Sequence, residues 1–169
     1  SALESNGQTD QALDAMNAIL NKFPKNLILN ITKSEILLSG QRLDEAMDNI
    51  EKVLNIAPGN YPASIIKAKI LSSKKEFIKA EEILRDLLIR KNRDPGLWMQ
   101  LSEIQRAGKN IVGYHLSRGE YYTLIGDFDN ALNQFQFALS LSGNSFQTSE
   151  TIMTKINLAK DRLGKRRGF

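Results

Sequence analysis

The chain has 169 residues, 41% of them apolar, with 23 Lys and Arg against 19 Asp and Glu, a net charge of +4 and no cysteine. That much apolar material can build a core, and the sparse glycine and proline exclude a low-complexity chain. The lack of cysteine excludes disulfides and thiolate metal sites and suits the cytosol and an oxidising compartment alike, and no apolar run nears the roughly 18 residues of a membrane-spanning helix.

The first clear element is residues 9–26, TDQALDAMNAILNKFPKN. Its apolar slots, Ala12, Met16, Ile19 and Leu20, fall at i, i+4, i+7 and i+8, one face of a helix. The same pattern returns 34 residues on in residues 43–60, at Ala46, Ile50, Val53 and Leu54, and again in 77–94, at Ala80, Leu84, Leu87 and Leu88. Pro24 and Pro58 close the first two copies, and Asn92 holds that place in the third. A fixed period near 34 residues is the mark of stacked helix-turn-helix units, none of which can bury its apolar face alone. Each copy reads as the second helix of a unit. The first helices fall between the copies: residues 27–39, then 61–74 with Pro62 in the first turn, then a helix opened by Asp94, Pro95 and Gly96 and stopped at Gly108. Asp44 is expected as a cap or first-turn acid of the second copy.

The rhythm then changes. The next alanine slot, Ala131, lies 51 residues after Ala80, one and a half periods, so one extra helix, residues 111–125, has been spliced in. A last helix over residues 145–163 is expected to point Ile152, Ile156, Leu158 and Leu163 inward and to cap the stack with a polar outer face. At the other end, Leu3 falls in a late first-helix slot and Gly7 in a turn slot. The chain is therefore expected to start inside a repeat, as a piece of a longer protein, the rival being a frayed terminus. The expectation is an all-α, single-domain solenoid of about nine antiparallel helices in a right-handed superhelix, its phase shifting by half a repeat near residues 95–111.

These slots resemble the tetratricopeptide repeat (TPR). Trp98, Leu101 and Ser102 match the family pattern in one unit, and Gly119, Tyr122, Gly126, Ala131, Phe135 and Ala138 match it in another. Lys75 and Asn92 depart from it, standing where a turn glycine and a proline are usual. Residues 95–141 also resemble the carboxy-terminal repeat region of bacterial zinc metallopeptidases of the BepA/YfgC type. The shared features are Pro95, Leu97, Trp98 and Leu101; then Tyr114, His115, Glu120, Tyr121 and Tyr122; then Gly126 to Asp129 and Ala131, together with the half-repeat offset. That resemblance implies an HExxH peptidase domain ahead of the repeats, a periplasmic location and a part in quality control of outer-membrane proteins. Zinc would belong to that upstream domain, and no cofactor is expected in this chain.

The chain itself holds no set of catalytic residues. HExxH needs two histidines on one helix face, and one histidine is present, His115, read as a packing or hydrogen-bonding residue. No Ser-His-Asp or Cys-His set can be assembled, and GKNIVG lacks the lysine and hydroxyl ending of a phosphate loop. What is left is binding. The family's phase implies a groove on the first helices, formed by Ile28, Ile31, Glu35 and Leu38, then Ile65, Lys69 and Ser72, then Met99, Glu103 and Arg106, with Leu116, Glu120 and Thr123 as further candidates. Ile31, Ile65 and Met99 stand where some TPR proteins carry a carboxylate-clamping lysine, and Glu35 and Glu103 would repel a carboxylate, so no such clamp is expected there. The expected partner is a protein or peptide offering an apolar or amphipathic segment, or the chain's own peptidase domain. The aromatics Tyr121, Tyr122, Phe128, Phe135 and Phe137 read mostly as core. The basic end, Lys160, Arg162, Lys165, Arg166 and Arg167, reads as a solvated tail rather than a nucleic-acid or lipid contact. The leading reading is the recruiting region of a periplasmic zinc metallopeptidase, and the alternative is a stand-alone TPR adaptor, cytoplasmic or otherwise.

Overall fold

The turns set the architecture. Residues with positive φ occur at Gln41 (58°), Lys75 (64°) and Lys109 (61°), spaced by 34, and then at Gly126 (79°) and Gly143 (61°), spaced by 17. Each follows a helix end, where a left-handed residue reverses the chain. Glycine adopts that conformation freely, whereas glutamine and lysine adopt it at some cost. A left-handed turn residue therefore recurs once per repeat up to Lys109 and once per helix after it. The spacing of these positions thus changes at Lys109.

In this computed structural model the described residues are 2–143 and 146–167, with side chains described for all of these except 2–6 and 167. Among them nine helices are found and no strand: α1 Ala2–Leu20, α2 Leu27–Ser39, α3 Leu43–Ile56, α4 Tyr61–Ser73, α5 Phe77–Arg90, α6 Pro95–Ala107, α7 Ile111–Leu124, α8 Phe128–Leu141 and α9 Phe146–Arg167. Five starts are closed by a side-chain oxygen that accepts from a backbone N–H: Asn26 from Leu29 (3.1 Å), Asn60 from Ala63 (3.0 Å), Asp94 from Gly96 (2.8 Å), Asn110 from Gly113 (3.1 Å) and Asp127 from Asn130 (3.2 Å). At α3 the capping position is Arg42, which makes no side-chain cap, and Asp44 is a first-turn acid.

The chain divides within α5 into two compact units, Ser1–Ile83 and Leu84–Phe169. In the first, α1 packs on α2, α2 on α3 and α4, and α3 on α4. Leu13, Ile31, Leu37, Ala46, Ile50, Val53, Ala63, Ile66 and Ile70 form its core. Ser34 is fully buried where helices meet, and its hydroxyl accepts from the Asn49 amide (2.8 Å), which also donates to the Asn30 carbonyl (2.6 Å).

In the second unit α6, α7, α8 and α9 each pack on the next. Ala131, Phe135, Ala138, Ile152, Ile156 and Ala159 make the α8–α9 core. Gly119 lets the Phe135 ring lie on the α7 backbone, since a Cβ there would stand 2.2 Å from the ring. At the α6–α7 contact a buried polar pair replaces the usual apolar one: the Ser117 hydroxyl donates to the Gln105 side-chain carbonyl at 2.7 Å, with both residues buried.

Several expectations are corrected. No turn forms at Gly7: α1 runs through it, and Leu3 lies among the residues whose side chains are not described. α1 packs on α2, with Leu13 in the core and Leu20 buried, leaving Ala12 exposed and Ile19 45% exposed. In α9 the inward residues are Ile152, Ile156 and Ala159, a spacing of i, i+4 and i+7. Leu158 lies about 100° around the helix from Ala159 and is 58% exposed. The outer side of α9 is accordingly not uniformly polar, because Met153 is exposed as well. Phe137, expected with the core aromatics, is likewise exposed. The basic end is helical to Arg167 with Lys160, Arg162, Lys165 and Arg166 exposed to solvent, and Phe169 lies outside the described residues.

Candidate binding cleft

The expected groove residues occupy one repeating set of positions. The helices that bury Ser34, Ala68 and Ser102 completely expose the neighbouring residues Glu35, Lys69 and Glu103. Three residues further on, Leu38 and Ser72 are half-buried and Arg106 is exposed. Ile65 and Met99 are half-buried, whereas Ile31 is buried in the core of the first unit, where a partner could touch little of it. Ile28 is 74% exposed. Glu35 lines a cavity of about 410 Å³ between α1 and α2, with Gln8, Thr9, Ala12, Thr32, Ile36 and Ser39.

In the second unit, Glu103 and Arg106 pair with each other at 2.5 Å, one helical turn apart. Met99 is held by α7: the Arg118 guanidinium donates to its sulfur (2.9 Å) and to the Tyr122 hydroxyl (2.7 Å), and lies over the Tyr122 ring at 5.0 Å. His115 is engaged, its Nδ1 2.8 Å from the Gln134 amide oxygen and its ring packed against Tyr114 and Phe137. Among the described residues no three His, Asp or Glu side chains converge as a metal site would require, and no helix is long and apolar enough to cross a membrane.

The best-formed concavity in this unit lies among α7, α8 and α9, with a volume of about 400 Å³. Two of the further candidates, Glu120 and Thr123, line it, and Leu116 does not. Its wall also carries Leu124, Gly126, Phe128, Phe135, Leu158 and Ala159, with Arg93, Lys155 and Arg162 around them. Glu120 of α7 is ion-paired with Lys155 of α9. The Arg166 guanidinium donates to the Gly126 carbonyl (2.9 Å), fastening the end of α9 to the α7–α8 turn. Beside it, hydrogen bonds from the Asn130 side chain and backbone N–H hold the Asp127 carboxyl below the usual carboxylate range, with the Arg166 charge adding to them.

The sequence pattern does not single out Arg93 and Lys155, puts Leu158 on the inner side of the last helix, and puts Arg162 in a solvated tail. The available signal was the spacing of Lys155, Leu158 and Arg162, at i, i+3 and i+7, which puts them on one stripe of α9. It was masked by the assignment of Leu158 to the inner side.

No family model and no curated relative matches the chain. Solved structures do resemble it. A tetratricopeptide repeat protein from Parabacteroides merdae superposes with a TM-score of 0.56 at 19% identity, over 91% of this chain and 65% of that one. MamA superposes with a TM-score of 0.63 at 12% identity, over 98% of this chain and 95% of that one. The chain thus spans about two thirds of the Parabacteroides structure and nearly all of MamA. At these identities the likeness concerns the fold: the chain has the all-α, helical-repeat fold of TPR proteins.

Proposed function

We propose that the chain works as a protein–protein interaction module, and that it is the carboxy-terminal recruiting region of a periplasmic zinc metallopeptidase acting in outer-membrane protein quality control. The observation that carries the first part is the repeating exposure just described. Successive first helices hide a small residue at one position and offer Glu35, Lys69 and Glu103 at the next, beside the half-buried Ile65 and Met99. A helical repeat that presents side chains at a fixed period, with apolar and charged groups mixed, suits an extended or helical partner segment.

The second part is supported by the pattern of residues 95–141, where the added helix, Tyr114, His115, Glu120, Tyr121 and Tyr122 fall together. A stand-alone adaptor is the second reading. It needs nothing beyond the TPR-type fold that the solved structures share with this chain. The coding sequence upstream of Ser1 separates the two. A signal peptide followed by HExxH is expected for the peptidase, and further repeats or a nearby start codon would establish the adaptor. The binding role itself is tested by Met99→Glu in crosslinking experiments: captured partners should be lost while the helical fold is kept. Unchanged capture with an intact fold would count against the groove.

A further inference from the structure

The cleft among α7, α8 and α9 combines two kinds of chemistry. Its floor is apolar, built by Leu124, Phe128, Phe135 and the 58%-exposed Leu158. Its rim carries three cations, Arg93, Lys155 and Arg162, against one carboxylate, Glu120. That carboxylate is already taken by Lys155. The guanidinium groups of Arg93 and Arg162 have no hydrogen-bond or ion-pair partner among the described residues. The cleft therefore offers a water-exposed apolar surface flanked by two guanidinium forks unpaired among the described residues, each shaped to take a carboxylate in two parallel hydrogen bonds.

We infer that this cleft docks an acidic–apolar segment of a partner protein, with a Leu- or Phe-sized side chain on the Leu158–Phe128 floor and Asp or Glu carboxylates on Arg93 and Arg162. The inference rests on the interaction-module reading and adds to it a place and a ligand chemistry. Charge complementarity selects the acid, and the floor selects the apolar residue. Duplex nucleic acid would give the floor nothing to bury, and two free arginines are a short ladder for a phosphate backbone. The Glu120–Lys155 pair ties α9 to α7 and keeps the two walls in place.

A random peptide library displayed on phage and panned against the full chain tests this. Recovered sequences should be enriched in Asp and Glu beside Leu or Phe. A synthetic copy of the dominant peptide should bind Arg93→Glu and Arg162→Glu on the order of tenfold more weakly than wild type by fluorescence polarisation. The doubly reversed variant should select Lys- and Arg-bearing peptides in place of the acidic ones. Both arginines are exposed, so the variants should keep the wild-type circular dichroism melt. Recovered peptides without acidic enrichment, or peptides that bind the reversed variants equally well, overturn the inference. Peptides that are insensitive to Arg162→Glu but lost with Met99→Glu overturn it while leaving the interaction-module reading intact, and recovery of no peptide overturns both. Arg162-dependent sedimentation with phosphatidylglycerol vesicles, without acidic-peptide binding, would assign the cleft to lipid and overturn it as well.

Discussion

At the scale of single residues, two positions in the second unit carry the strongest constraints. Gly119 has no room for a methyl group, because the Phe135 ring fills the space where its Cβ would stand. Gly119→Ala gains about 1 kcal/mol of helix propensity, but overpacking costs typically 1–3 kcal/mol. The steric cost is at its upper end here because the obstacle is a buried ring. A net loss of about 2 kcal/mol is expected, seen as a lower melting temperature and partly restored by Phe135→Leu. Gln105 occupies the place held by the apolar Leu37 and Leu71 in the two preceding repeats, and its side-chain carbonyl accepts from Ser117. Gln105→Leu alone strands the Ser117 hydroxyl and should cost about 1–3 kcal/mol. Adding Ser117→Ala should return the stability to wild type or above it, and a double-mutant cycle on urea melts measures this. Gly119 and Phe135 were both legible in the sequence as slots of the repeat pattern, though not as a contact. Gln105 was not, because its partner is set by which helix α6 lies against, and that is a tertiary fact.

At the scale of elements, helix existence and order were readable from apolar spacing and from Asn, Asp and Pro at the starts, whereas the rotation of the two outer helices was not. Helices flanked on both sides have their buried face fixed by two neighbours. In the described residues α1 packs on α2 and α9 packs chiefly on α8, so the inner stripe follows that one main neighbour and Leu158 drops out of it. Ile152→Ala in α9 should therefore cost about 2–5 kcal/mol, whereas Leu158→Ala should stay within about 0.5 kcal/mol of wild type. Equal effects from the two in thermal melts would contradict the observed rotation. The turns make a second test. Lys109 sits at φ 61° without being glycine. Replacing it with glycine relieves about 1–2 kcal/mol of left-handed strain at an entropic cost of roughly 0.5–1 kcal/mol. The net effect should be a gain of up to about 1.5 kcal/mol, visible as a higher denaturation midpoint.

At the scale of the whole molecule, charge pairing is spread over the surface. Asp44 is held low by Lys74, Glu45 by Arg42 and Glu76 by Lys79, each chiefly through a side-chain hydrogen bond, and Asp127 is held low by Asn130. These carboxyls bind protons less readily folded than unfolded. Their stabilisation is therefore present above the unfolded value, about 4 for such groups, and is lost as pH falls through the lower folded values. The melting temperature should drop below about pH 4, and added salt should flatten that drop, since the pairs are exposed and screened. A melting temperature independent of salt in this acid range would contradict the surface origin. At this scale the repeat class was legible because a period needs only its own recurrence to be seen. The cleft was not, because its rim draws on Arg93 and on residues up to Arg162, brought together by folding.

The Gln105–Ser117 bond has a further consequence for how the chain finds its partners in itself. Helices written from one repeated phrase are near-copies, and a near-copy is a tempting wrong neighbour during refolding. A buried polar group is satisfied only beside its match, so α6 set against any helix other than α7 would part the Ser117 hydroxyl from the Gln105 carbonyl. The pair works as a proofreading mark at the point where the period breaks. The Gln105→Leu/Ser117→Ala chain should therefore melt no lower than wild type yet refold from urea with a smaller monomeric yield, the remainder appearing as misaligned, swapped species on size exclusion.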